Sequence, residues 1–521
     1  MKKLKSISII AIIMFVSGCT DRFEEINTNP NDPVHVTTPG LFNSAFKTIV
    51  GSRTRGAFSS ARMTLPWVQY SAQLNYTEED RFLFREEVNI SLFNAYYLEA
   101  QNFKSIIDLN TDPETRTAMA LYGDTQNQIA ASRIMLAYIF QNLTDTYGDI
   151  PYYSYGNSDP DFQALNINNL TPKFASQQKI YTDLLKELKE AVEMINPANK
   201  IFYENQDIYF GSGEKLKRFG NSLRLRIANR VKNVIPSANE HIQSAITSGV
   251  MQSNSDSVGV TYEPNSINPA PTYAAFFISN RTDYTASKTF VDLLKGKIGP
   301  FNRDPRLQKL IAPVGTSKSN SLNRDYTETA DLTRYEGMPY GITSGQTSSQ
   351  APSASLYSYH IFKPDYTEYL LEYSETAFLL SEINNWNEDH YKKGIRASME
   401  KWGVSETEIS TYLNNVPAAS QENVLTQKYI ALFMQPYEAW SEWRRTGFPS
   451  ILIKPGGTGT FINPVNNATT YTFTPLVNLT EIPARLSYPI NQRDLNPPGY
   501  KQAVQNMGSD KLDTKLIWDT N

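Results

Sequence analysis

The sequence predicts an all-α-dominated protein, with helical pairs stacked into a scaffold, long irregular loops and minor β structure. Three observations lead there. Apolar residues recur at helical spacing through most of the chain. Gly and Pro fall where that spacing breaks, as expected at helix ends. Two long stretches, 250–285 and 297–368, lose the spacing and are rich in Pro, Gly, Ser, Asn and Tyr.

The elements follow in order. Residues 20–38 are polar and turn-rich, with Asn27, Asn29, Pro30, Asn31 and Pro33, and lead into a first helix near Thr38. Leu92 to Leu109 carries Phe93, Tyr96, Tyr97, Ala100, Phe103, Ile106 and Ile107 on one stripe. Pro113 and Glu114 open a longer helix to about Thr146, which Gly148 stops and Pro151 keeps from restarting. After Pro172 a helix runs to about Ile195. Three pairs follow: Lys215 to Val234 with Ser237 to Gly249, Tyr369 to Trp386 with His390 to Trp402, and Gln421 to Met434 with Tyr437 to Gly447. A helical pair cannot cover its own apolar face and must stack on a neighbour, so the scaffold is TPR-like. The tetratricopeptide signature itself is absent. Loops as long as 250–285 and 297–368 are usually functional or disordered. Residues 450–500 are irregular as well.

At 521 residues the chain can bury a large core, and its formal net charge is −4. No basic stripe exists to neutralise phosphates, which argues against nucleic acid as a partner. Tyr (31) outnumbers Phe (25), with 6 Trp. A ring with a polar tip suits wet binding surfaces, although most of these rings must pack between helices.

The N-terminus has the layout of a secretory signal: Lys2, Lys3 and Lys5, then an apolar run from Ile7 to Val16 interrupted only by Ser8. The run is too short for a spanning helix, which needs about 20 residues. It ends in Val16-Ser17-Gly18-Cys19, and Cys19 is the only cysteine in the chain. This ending resembles a bacterial lipobox. The resemblance implies a signal peptide over 1–18, cleavage before Cys19, acylation of Cys19 (palmitate among the chains) and a lipid anchor to a membrane. Two or more acyl chains give stable anchoring. Residues 19–37 are then a tether, and no disulfide can form in the mature chain. Asp21, Glu24 and Glu25 resemble the acidic export signal of surface lipoproteins.

The sequence carries no recognisable catalytic motif. His35, His241, His360 and His390 are far apart, with no HExxH or HxH pattern, and a structural zinc site is not expected. No GxSxG elbow, GxGxxG or GxxxxGK[ST] occurs. Gly456-Gly457-Thr458-Gly459 is not framed by a strand and a helix, and reads as a surface turn rather than a phosphate cradle. Glu78-Glu79-Asp80 and Glu86-Glu87 could serve a glycosidase, which needs two carboxylates across a sugar. Their simpler reading is a solvated surface. No cofactor or metal is expected.

Specific strings then carry a resemblance along the whole chain. Cys19 to Asn31, Leu143 to Tyr152 (LTDTYGDIPY), Asn221 to Ala228 (NSLRLRIA) and Asp304-Pro305-Arg306-Leu307 occur in family order. Tyr437 to Gly447, Ile482 to Pro489 and Lys515 to Asp519 continue it. They resemble SusD/RagB-family surface lipoproteins, the second SusD-like subfamily most closely, with Ala484 standing where the family commonly has Arg. Physically these strings look structural. Asp145 and Asp149 flank a helix stop, Arg224 and Arg226 suit buried carboxylate pairs, and Arg444 and Arg445 sit at a helix C-terminus where cations complement the dipole.

The resemblance implies one SusD-like domain over 38–521 with ligand-binding insertions at about 250–285 and 297–368. It also implies a location on the outer membrane facing the exterior. The protein would be a lid that captures an oligosaccharide or peptide and delivers it to a TonB-dependent transporter, without covalent chemistry. Sugar binding needs flat aromatic platforms and a few placed polar groups in a concavity. Two stretches supply that mixture: one with Trp67, Gln69, Asn75 and Tyr76, the other with Tyr273, Phe276, Asn280 and Arg281. Tyr335 and Tyr340 are further candidates. A packed core accommodates the same rings, Trp67 and Phe277 first. Beside the glycan reading stand a peptide ligand, a surface glycoside hydrolase and a lid with no ligand of its own.

Overall fold

The computed structural model describes residues 36–463 and 467–519. Cys19, the expected signal peptide and all but the end of the expected tether lie outside the described residues.

The fold is helical, as the spacing predicts. Helix α1 (Thr38–Thr48) starts where expected, with Thr37 as cap and Pro39 in the first turn. Helix α2 (Glu86–Thr111) begins earlier than the apolar stripe, because Glu86 and Glu87 occupy its first turn, the positive end of its dipole. Helix α3 (Thr125–Tyr147) ends at Gly148, whose φ of +91° suits glycine. Its start corrects the expected one at Pro113. Residues 112–124 form turns and a short helical segment, Arg116–Met119. Gly123 passes so close to the 201–202 segment that a Cβ there would lie 1.9 Å from the Ile201 carbonyl oxygen. Asp124 then caps α3 by accepting from the Asn127 amide at 2.9 Å.

Helices α4 (Gln177–Glu193), α5 (Gly213–Val231) and α6 (Ala238–Ser248) follow, the first two capped by Ser176 and Ser212. Each packs on its predecessor, so α1 to α6 form a sequential stack. Helices α7 (Tyr373–Ile383) and α8 (Glu388–Lys401) pack as the expected pair, and α7 also contacts α5. Two corrections belong here. The N-terminal part of the expected helix Tyr369–Trp386 is a strand, and an unforeseen helix α9 (Glu406–Asn415) opens on a Ser405/Glu408 capping box. The last expected pair, Gln421 to Met434 with Tyr437 to Gly447, is not a hairpin. Helix α10 (Gln421–Ala431) packs on α7 and α8, whereas α11 (Pro436–Thr446) packs on the short helix Thr64–Trp67. Trp440 meets Trp67 edge-on there, with ring centroids 5.4 Å apart.

Minor β structure takes the form of antiparallel two-stranded ribbons. β1 (Ser71–Gln73) pairs with β5 (Tyr284–Ala286), and β2 (Ile150–Pro151) with β3 (Phe174–Ala175). β4 (Val258–Thr261) pairs with β6 (Thr367–Leu371), and β7 (Thr458–Asn463) with β8 (Asn467–Thr472). The Gly456-Gly457-Thr458-Gly459 string turns the chain into β7, with Gly456 at φ +80°. Residues 450–500, expected to be irregular, therefore carry a hairpin.

One apolar cluster runs from Phe42 to Trp518, and a smaller one lies around Phe378, Tyr391 and Ile409. A buried ionic network ties the scaffold together. Arg230 of α5 donates to Asp145 of α3 and Glu438 of α11. Arg226 forms a bidentate pair with Glu375 of α7 (2.7 and 2.6 Å). Lys428 reaches Glu442 at 2.7 Å, and Arg445 bridges Glu442 and Glu382. Burial opposes ionisation of Glu442, but Arg445 and Lys428 outweigh it and hold its carboxyl well below the usual range. Arg224 departs from the expected role: among the described residues its hydrogen bond goes to the Asn221 side-chain oxygen (3.2 Å) and not to a carboxylate, and burial lowers its pKa. Arg444 lies over Trp440 at 3.5 Å and donates to the Asp145 and Ala484 carbonyls. No described helix is long and apolar enough to cross a membrane.

Candidate ligand-binding site

The β1–β5 ribbon matters because it joins the two stretches that the sequence nominates. Gln73 faces Tyr284 in register, and the Asn75 amide donates to the Asp283 carbonyl at 3.1 Å. A cavity of about 720 Å³ opens beside this join. Its walls come from the 52–62 segment, from Gln73, Tyr76 and Glu79, from Ser91 of α2, and from residues between Pro271 and Tyr284. Its size and mixed lining fit a small-molecule site.

Local backbone geometry shapes the rim. Ala274–Ile278 is a π-helical turn following Pro271–Tyr273, and such turns are frequent at functional sites. Tyr76 and Asn280 hold φ of +58° and +50°, strained values for non-glycine residues that cluster at ligand clamps. Tyr76 is 49 % exposed, and the Arg281 and Arg85 guanidinium carbons lie 5.5 and 5.7 Å from its ring centroid. Arg281 is held by Asp283 at 2.6 Å.

Glu79 anchors the floor. Its Oε1 accepts from Arg62 and Arg85, each at 3.0 Å, and Oε2 is buried without a protein hydrogen-bond partner. The solvated-surface reading of Glu78-Glu79-Asp80 is thus corrected: Glu79 and Asp80 are buried, because the turn after β1 folds them under the ribbon. Burial pushes the Asp80 carboxyl up to about 8, against the partly offsetting backbone amides of Gln73 and Gly341. Asp80 does not line the cavity.

Asp80 makes stability depend on pH. The folded state holds its proton above the ordinary carboxyl range, so that contribution is full below about pH 4 and is lost as pH rises through about 8. Asp80→Asn removes the titration. The variant's stability relative to the parent should therefore rise with pH across that window, by up to about 1.4 kcal/mol per unit. Urea midpoints of both proteins at pH 5 and pH 8 measure it, and an unchanged difference would contradict the assignment.

The nominated residues divide. Tyr76 and Arg281 line the cavity. Phe276 borders it, but its side chain is buried against Tyr284 and Phe362 and offers no face to a ligand, which corrects that nomination. Asn75 is exposed beside the cavity, and Asn280 is exposed at the rim, accepting from Lys318 at 2.8 Å. Tyr273 packs on Phe277, with ring centroids 5.1 Å apart, outside the lining. Four more nominations are corrected by burial. Trp67 is enclosed between Trp440 and Phe82. Gln69 clamps the Ile453 backbone through both N–H and C=O, at 3.1 and 2.7 Å. Tyr335 is buried and donates to the Thr329 carbonyl at 2.9 Å. Tyr340 is buried against Phe473. None of the four can offer a face to a ligand without repacking the core. Arg53, Arg62 and Glu79 were not nominated as ligand residues. Nothing in the sequence around Arg53 marks it, whereas Glu79 stands out there only as one of a run of acids. Among the described residues, no group of three or more His, Cys, Asp or Glu is placed to hold a metal.

The comparisons with known proteins agree with this architecture. Residues 30–489 match the SusD-like 2 family model, described as starch-binding and associating with the outer membrane. The chain belongs to this SusD-like family. Among solved structures it is similar to a chitin-binding protein: 25 % identity, 93 % of this chain, 100 % of the other and a TM-score of 0.72. It is similar in fold to a chitin-binding SusD homolog from Flavobacterium johnsoniae, with 21 % identity, 93 % and 99 % coverage and a TM-score of 0.67. A SusD homolog from Bacteroides fragilis gives 19 % identity, 93 % and 100 % coverage and a TM-score of 0.71. No curated protein sequence matches the chain.

Proposed function

We propose that this protein captures an oligosaccharide at the outer surface of the outer membrane, held there through acylated Cys19, and delivers it to a partner TonB-dependent transporter as a lid. The observation that carries the binding step is the cavity beside the β1–β5 ribbon, with exposed Tyr76 flanked by two guanidinium groups. A tyrosine ring offers an apolar face to the C–H face of a sugar, and charged side chains around it bond hydroxyls strongly. Family membership and the chitin-binding relative support a glycan over a peptide. The protein acts by binding, not by hydrolysis. Glu79 is clamped by two arginines, Asp283 by Arg281, and Asp80 is enclosed, so among the described residues no carboxyl pair stands free across the cavity.

Calorimetric titration against starch-derived and chitin-derived oligosaccharides, other glycan fragments and a peptide mixture tests the reading. Saturable glycan binding without release of shortened products is expected. Binding of peptides alone, or turnover of a glycan, would overturn it.

A further inference from the structure

The charge in the cavity is unlike that of the chain. The protein is net negative at −4, yet the lining holds Arg53, Arg62 and Arg281 against Glu79 and Asp283. The two carboxylates are already engaged: Asp283 by Arg281, and Glu79 by Arg62 and Arg85. Arg53 is exposed and has no ion pair among the described residues. The loop bearing it is pinned, since the Arg53 carbonyl accepts from Ser59 Oγ at 3.0 Å. Glu79, 1 % exposed, is enclosed beneath these arginines and leaves Arg53 as the charged group of the lining open to a ligand. A concave wall with a surplus of one sign concentrates ligands of the other.

We infer that this cavity takes an acidic glycan, in which Arg53 holds the carboxylate of a uronic acid residue whose ring lies over Tyr76. This rests on the reading of the cavity as a glycan site and adds the ligand's charge class. The planar guanidinium fork matches a carboxylate through two parallel hydrogen bonds. A neutral sugar offers Arg53 only hydroxyls and leaves the surplus charge unmatched.

The test compares uronate oligosaccharides (oligogalacturonate, alginate fragments and hyaluronan fragments), their methyl esters, and a neutral chito-oligosaccharide, on the parent, Arg53→Gln and Tyr76→Ala. At least one uronate should bind about ten- to a hundredfold more tightly than its own ester, the range expected of a charge-assisted pair. Added salt should weaken it. Arg53→Gln should abolish the acid's advantage over its ester, weakening the acid about ten- to a hundredfold and the ester by far less. That variant keeps the pinned backbone, so its melting temperature should match the parent's. Equal affinity for acids and esters, or acid binding indifferent to Arg53→Gln, would overturn the inference. If the neutral oligosaccharide binds in a Tyr76-dependent way and no uronate is preferred, the acidic assignment falls while the glycan site stands. If no glycan binds at all, both fall.

Discussion

Arg230→Leu is expected to lower the stability of the protein by about 3–5 kcal/mol, the range for breaking a buried ion pair by removing one partner. The magnitude follows from what the substitution leaves behind. The Arg230 side chain is fully enclosed, and its guanidinium bridges Asp145 on α3 to Glu438 on α11, with Glu442 at 3.5 Å. It also lies 5.6 Å from the Trp518 ring centroid. Leucine would leave two carboxylates facing each other with only the more distant cations of the network, Arg226 for Glu438 at 3.6 Å among them. Buried carboxylates without a counter-charge shed their charge by taking up protons. The parent's Glu438 is held below the ordinary carboxyl range, with Arg230 and then Arg226 outweighing its burial. In the variant that depression is lost, so the stability difference should be greatest at pH 7 and above and shrink as the pH falls towards 4. Urea midpoints at pH 7.5 and pH 4.5 measure both statements. A loss under about 1 kcal/mol at the higher pH would mean that surrounding packing, not the network, holds α3, α5 and α11 together.

Tyr76→Ala is expected to weaken glycan binding about thirtyfold, or about 2 kcal/mol, the scale of an aromatic anchor at the centre of a binding site. Its effect on stability should be small. Half of the ring is already exposed, and its described partners are the guanidinium groups of Arg85 and Arg281, both of which keep their own carboxylates. Trp67→Ala is the matched contrast, because Trp67 is enclosed. It should cost about 3–5 kcal/mol of stability while touching no ligand. The two aromatics lie nine positions apart in one stretch, so the pair separates anchor from core. Comparable loss of binding in a folded Trp67→Ala, or none in Tyr76→Ala, would reverse the assignment.

The same pair shows where sequence reasoning stops. Helical period and caps make α2 to α6 legible, since one stripe of apolar residues per turn is a strong local signal. The last expected pair fails because period tells that a helix exists, not which neighbour it meets. Helix α11 takes its partner from residues 64–67, far away in sequence. The strand Thr367–Leu371 was hidden because Tyr369, Leu370 and Leu371 suit either period over so short a run. The two nominated stretches do meet, through β1 and β5, and the mixture of aromatics and amides in each is what made them visible. Which ring points outward was not visible: Trp67, Tyr335 and Tyr340 differ from Tyr76 only in long-range packing. Arg53 lacked any signal at all, since its meaning comes from carboxylates elsewhere that are already taken.

Whether the cavity between Tyr76, Glu79 and Arg281 holds the glycan is read from a crystal structure of the protein soaked with the tightest-binding oligosaccharide from the titrations. A sugar ring against Tyr76, with its polar groups within hydrogen-bond distance of the arginines in the wall, is the expected result. A sugar ordered elsewhere on the protein, with the cavity holding only solvent, would contradict it.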